Sequence, residues 1–154
     1  MAHNQDAQVI DALEEQLLQD GVSFDRLRRH LANFLLELII KGKLGTISAE
    51  NLQTITLALS EAISRECIDR EDTCLKNIIA LLCAIEAQCE TPSSETYIMA
   101  KCSLFCFGTL GGWGEEDSDD LTPIYLYFVM LKKIFPDVRQ DFVRFFQELL
   151  NEKS

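Results

Sequence analysis

TCLKNIIALLCAIEAQCETPSSETYIMAKCSLFCF, residues 73–107, is the stretch on which the fold reading turns. Between Asn77 and Ile85 no side chain is charged, and Ile78, Ile79, Leu81, Leu82, Cys83 and Ile85 leave no polar face. A helix apolar all round is expected to be enclosed by protein or lipid, and this one is too short to span a bilayer. Glu90 to Ser94, with Pro92, interrupts the pattern, and Tyr97 to Phe107 resumes it with Lys101 as its only charge. Two consecutive buried helices are expected, with the others around them.

Working outward, residues 1–6 read as a frayed terminus. From Ala7 to Gln19, Val9, Ile10, Leu13, Leu17 and Leu18 recur at helical spacing, and every charge up to Asp20 is acidic. Asp20-Gly21 ends this helix, because glycine accepts the left-handed conformation that follows a helix end. Ser23 then caps a second helix with the stripe Phe24, Leu27, Leu31, Phe34, Leu35, Leu38 and Ile39, and a polar face of Arg26, Arg28, Arg29 and His30. Ser48 caps a third, with Leu52, Ile55, Leu59, Ala62 and Ile63 on one side. Beyond the apolar pair, Thr122-Pro123 opens another helix, proline at the first position having no N–H to lose. Val138, Phe142, Phe145, Phe146, Leu149 and Leu150 mark the last.

No alternating strand pattern competes. The fold class is all-α: one domain over residues 7–152, a compact bundle of six or seven helices around a central apolar hairpin. The alternative is a short HEAT-like array, since hairpins beginning near Phe24, Asp72 and Leu121 recur at roughly 48 residues.

The chain has 154 residues, 47% of them hydrophobic, with 7 Gly and 3 Pro, a composition suited to a folded domain of long helices. Its formal charge of −11 opposes nucleic acid and anionic membrane surfaces and favours a protein partner with a basic patch. The six cysteines, lying in or beside the apolar helices without a signal-peptide pattern, read as reduced thiols in a cytoplasmic protein.

Chemistry-bearing motifs are sparse. Of two histidines, His3 lies in the terminus and His30 on a basic helix face, where a surface or capping role is expected. No cysteine stands at a helix start with basic neighbours, the setting that lowers a thiol pKa. Only Cys102 and Cys106 are close enough for a zinc half-site, and no second pair follows. The acidic run after Trp113 lacks the glycine and glutamate register of an EF-hand loop. Neither a phosphate-binding glycine loop nor a dinucleotide fingerprint occurs. No enzyme activity, cofactor or metal is expected.

The segment Glu15 to Arg26, with Asp20-Gly21-Val22-Ser23-Phe24-Asp25-Arg26 leading into an apolar helix, resembles the BH1 motif of Bcl-2 proteins. Gly111-Gly112-Trp113 resembles that family's BH2 turn. Phe24 and Asp25 stand where the family motif carries Trp and Gly. The resemblance implies a groove that accepts an amphipathic helix.

The sequence thus points to a non-enzymatic protein-interaction module: an adaptor, inhibitor or assembly subunit. Alternatives are the Bcl-2-like groove and an acidic mimic that blocks a basic nucleic-acid-binding surface. Candidate partner-binding residues are Trp113 with Glu115, Glu116, Asp117, Asp119 and Asp120, an aromatic anchor beside carboxylates. Phe142, Phe145 and Phe146 form a second candidate: an apolar excess suited to a homodimer.

Overall fold

The structure is a computed structural model that describes residues 2–69, 71–91, 94–108 and 123–151. These residues form seven helices and no strand: α1 (Ala2–Gln19), α2 (Phe24–Ile40), α3 (Ala49–Ser64), α4 (Thr73–Gln88), α5 (Glu95–Phe105), α6 (Pro123–Lys132) and α7 (Val138–Asn151). The all-helical bundle expected from the sequence is what is observed. Contacts group the chain into two compact units, residues 25–109 and residues 1–24 with 110–154.

Helix ends follow local chemistry. Gly21 and Gly42 take positive φ, +76° and +71°, just past α1 and α2. The next amides, Val22 and Lys43, donate back five residues to the Leu17 and Leu38 carbonyls at 3.1 Å, closing both helix termini. Ser48, Asp72 and Ser94 cap α3, α4 and α5, each accepting from the amide three residues on.

In the 25–109 unit, α3, α4 and α5 pack on one another. Lys101 of α5 reaches Glu86 of α4 at 3.4 Å across the hairpin. The expectation of enclosure holds for α5, none of whose residues is exposed. It fails for α4. Leu75, Ile78, Leu82 and Ile85 are buried, but Leu81 is 52% exposed, with Ala80, Cys83 and Ala84 also outward. The reason is geometric: α3 and α5 cover one side of α4, and the described chain leaves the other side bare although it is uncharged.

α2 buries a broad arc: Leu27, Leu31, Ala32, Phe34, Leu35 and Leu38, and with them Arg28 and His30. Arg28 has no exposed side-chain area. Its Nη1 donates to the Ala62 carbonyl at 2.9 Å and to Cys106 at 3.4 Å, and its Nη2 to Arg65 at 2.7 Å. Arg29 Nε donates to the Ile63 carbonyl at 2.9 Å. The last carbonyls of a helix lack intrahelical donors and carry partial negative charge, so two guanidinium groups at the α3 terminus satisfy both needs.

In the other unit α1 packs on α6 and α7. Ile10, Leu13 and Leu17 of α1 are buried, as are Ile124, Tyr127, Phe128 and Leu131 of α6 and Val138, Phe142, Phe146 and Leu149 of α7. Phe142 meets Phe128 edge-on at 5.6 Å and Phe146 at 4.6 Å. α1 starts at Ala2, ahead of the start expected at Ala7. Buried Asp6 accounts for the extension: it accepts from Lys132 Nζ and from Arg139 Nη1, the latter at 3.0 Å.

Candidate docking groove between α3 and α4

The groove is built from the clamp that sets its walls. Arg65, just past α3, donates from Nε and Nη2 to Glu61 Oε1 at 3.0 and 2.8 Å, and from Nη1 to Asp72 Oδ2 at 2.8 Å. Asp72 Oδ1 accepts from the Leu75 amide at 3.2 Å and so starts α4. The Arg65 hydrogen bond, helped by the Leu75 N–H, holds the Asp72 carboxyl below its ordinary range. This ionised clamp turns the chain back, so that α3 and α4 run antiparallel.

Between them lies a cleft of about 230 Å³ lined by Glu50, Gln53, Thr54, Leu57, Ala58, Ile78 and Leu81. Ala58 and Ile78 form its buried floor, while Leu57 and Leu81 stand 63% and 52% exposed on its walls. Neither Gln53 to Ser60 nor Asn77 to Ile85 contains a charge. Small-molecule sites usually span about 300–1,000 Å³. A smaller, open, apolar cleft matches one or two side chains of a partner rather than a cofactor.

The ends of the groove are acidic. Asn51, beside Glu50, shares a hollow with Gln88 and Glu90 at the end away from the clamp. At the clamp end the connection 65–72 carries Glu66, Asp69, Glu71 and Asp72 against two arginines.

The residues singled out in the sequence are distributed differently. Trp113, Glu115, Glu116, Asp117, Asp119 and Asp120 lie outside the described residues, as do Gly111 and Gly112 of the BH2-like turn. The BH1-like segment forms the turn from α1 into α2. Phe142 and Phe146 are fully buried, which corrects their assignment to a partner surface. α1 packs on both α6 and α7, and the apolar excess is absorbed inside that unit. Phe145 is half-buried, 6.2 Å from Phe146 in an edge-on contact. His30, expected on a surface or at a cap, is buried. Arg28 and Arg29 serve the α3 terminus rather than an external anion.

The thiols separate by burial. Cys67, Cys74 and Cys83 are exposed, Cys89 is intermediate, and Cys102 and Cys106 are buried. Burial pushes the Cys102 thiol up to about 12 and Cys106 well above its ordinary value. Cys106 Sγ donates to the Cys102 carbonyl at 3.5 Å. Such thiols stay protonated near neutral pH and are poor nucleophiles. Among the described residues no three His, Cys, Asp or Glu side chains gather as a metal would need. None of the described helices is long and apolar enough to cross a membrane.

Reasoning from sequence missed the groove itself. Its signal lies in the two charge-free runs, Gln53–Ser60 and Asn77–Ile85, but a run without charge does not say which of its sides is interior. No known family model, curated protein or solved structure matches the chain.

Proposed function

We propose that the protein is a non-enzymatic protein-interaction module, an adaptor, inhibitor or assembly subunit, and that it docks its partner in the α3–α4 groove. One observation carries the reading: α4 is uncharged from Asn77 to Ile85, yet Leu81 stands half in solvent beside Leu57. Exposed apolar surface organised as a groove between two helices marks a docking site, whereas single exposed hydrophobes do not. Against catalysis stand the protonated state of the buried thiols and the burial of His30 away from solvent. A reducing, cytoplasmic setting suits a chain with three exposed thiols.

The test is affinity purification of the tagged chain from its native cell. Wild type is compared with a Leu57→Glu/Leu81→Glu double variant and with Ile40→Glu, which alters a side chain 80% exposed at the end of α2. A partner held by wild type and Ile40→Glu, and lost by the double variant, is the expected result. An identical set of proteins on all three would remove the groove as the docking surface.

A further inference from the structure

The groove's charge layout says what fits it. Its middle is neutral and apolar. Glu50 and Glu90 mark one end, and neither carboxylate has an ion pair among the described residues. Glu66, Asp69 and Glu71 lie in the connection at the other. Cations do not fully balance that end: α3 has none, α4 has only Lys76, 3.9 Å from Glu71, and with Arg65 and Arg70 of the connection three cations stand against five acids, Glu61, Glu66, Asp69, Glu71 and Asp72. Arg65 is spent on Glu61 and Asp72.

We infer that the occupant of the groove is an amphipathic helix of a partner protein, with an apolar stripe between basic residues at both ends. The inference rests on the groove being a docking site, as proposed above. The α3–α4 seam from Glu50 to the clamp follows α3, sixteen residues at 1.5 Å each or roughly 24 Å, and the cleft within it, lined on α3 from Glu50 to Ala58, takes side chains from about two turns of a helix. Leu57 and Leu81, exposed on its walls, offer apolar contacts to the i, i+3 or i+4 and i+7 stripe by which helices dock in grooves. Lysines or arginines one turn beyond either end of that stripe meet the carboxylates. Rim charges of this kind select the partner and speed its encounter more than they hold it.

A second copy of this chain fits less well. Its own α3–α4 face carries the same acids at both ends, so either orientation sets carboxylates against carboxylates. Nucleic acid meets the same repulsion at both ends of the groove and finds no cation in its middle.

The probe is a fluorescein-labelled 16-residue peptide built as an amphipathic helix, with leucines on one stripe and two lysines at each end. A twin carries glutamates in place of the lysines. Anisotropy is measured against the full chain, Leu81→Glu, a milder Leu81→Ser should the charge disturb folding, and Glu50→Lys/Glu90→Lys. The lysine peptide should bind at least tenfold more tightly than its twin. Leu81→Glu should weaken it tenfold or more with the circular dichroism unchanged, and the lysine double variant should narrow the preference severalfold. Equal binding of the twins, both lost with Leu81→Glu, would overturn the basic flanks and leave the docking groove intact. Binding of the lysine peptide that ignores both Leu81 variants would show diffuse charge attraction and overturn the site. No binding of either peptide would overturn the helix occupant, while the purification above judges the groove independently. A dimer of the wild-type chain in sedimentation, dispersed by Leu81→Glu, would name a second copy as the occupant and overturn the inference.

Discussion

Arg28 is accommodated without solvent because helix ends supply the oxygens its N–H groups need. A lone guanidinium in an apolar interior would be strongly unfavourable, yet here carbonyls from two helices and the Asp25 carboxylate, 2.8 Å from Nε, surround it. Removing it leaves buried acceptors without donors, each costing about 1–3 kcal/mol. Arg28→Met is therefore expected to lower unfolding free energy by about 2–5 kcal/mol in urea titrations. Arg28→Lys should fall between, since one ammonium cannot span the Ala62 and Arg65 carbonyls as a planar fork does. A Met variant as stable as wild type would reduce this arginine to a spectator. Its burial was legible in principle, because positions 24, 28, 31 and 35 share one helical stripe. What the sequence withheld was the destination: nothing in the residues near Arg28 names the end of a helix some 34 positions downstream.

At the level of the element, α4 is two surfaces back to back. Leu82 is fully buried and Leu81 is half exposed, one residue apart. Leu82→Ala should cost about 2–5 kcal/mol, the usual range for a buried leucine, whereas Leu81→Ala should stay within about 1 kcal/mol. Equal losses at the two positions would mean that α4 has no free side. The sequence could not separate them, since from Ile78 to Ile85 no polar or charged side chain marks a face for periodicity to grip. Where polar and apolar residues alternate with the helical turn, as in α7, the stripe of Val138, Phe142, Phe146 and Leu149 is legible in the sequence, but not that Phe142 and Phe146 are covered within their own unit rather than by a partner. α1 offers a different check. The Lys132 hydrogen bond, then the Arg139 contact, holds Asp6 below its ordinary pKa, so the folded state binds this proton less readily than the unfolded chain. The resulting stabilisation is present above the unfolded value, about 3.9, and disappears as pH falls through the lowered folded value. Melting of wild type and Asp6→Asn should differ most at pH 6–7 and converge toward pH 2. A gap that persists at pH 2 would assign the effect to packing instead.

For the whole molecule, chain connectivity and spatial grouping disagree. The 25–109 unit is one continuous segment, while the other joins the two ends of the chain. An excised 25–109 fragment is expected to show helical circular dichroism and a sigmoidal melt. A 110–154 fragment should gain helix only when a peptide of residues 1–24 is added, because α1 covers α6 and α7. Full helicity of 110–154 alone would contradict that dependence. Helix count and most helix ends were legible from caps, glycines and prolines. The pairing of α1 with α6 and α7 was not, since a stripe such as Ile10, Leu13 and Leu17 declares that it will be covered but not by what. This pairing also sets a timetable for synthesis. α1 leaves the ribosome ahead of its partners, and roughly 100 residues must follow it before α6 begins. At about 5–20 residues per second, that first helix waits roughly 5–20 s with its apolar stripe uncovered. Its acidic charge, with no Lys or Arg between Ala2 and Asp25, then sets like charge against like wherever two such uncovered stripes meet.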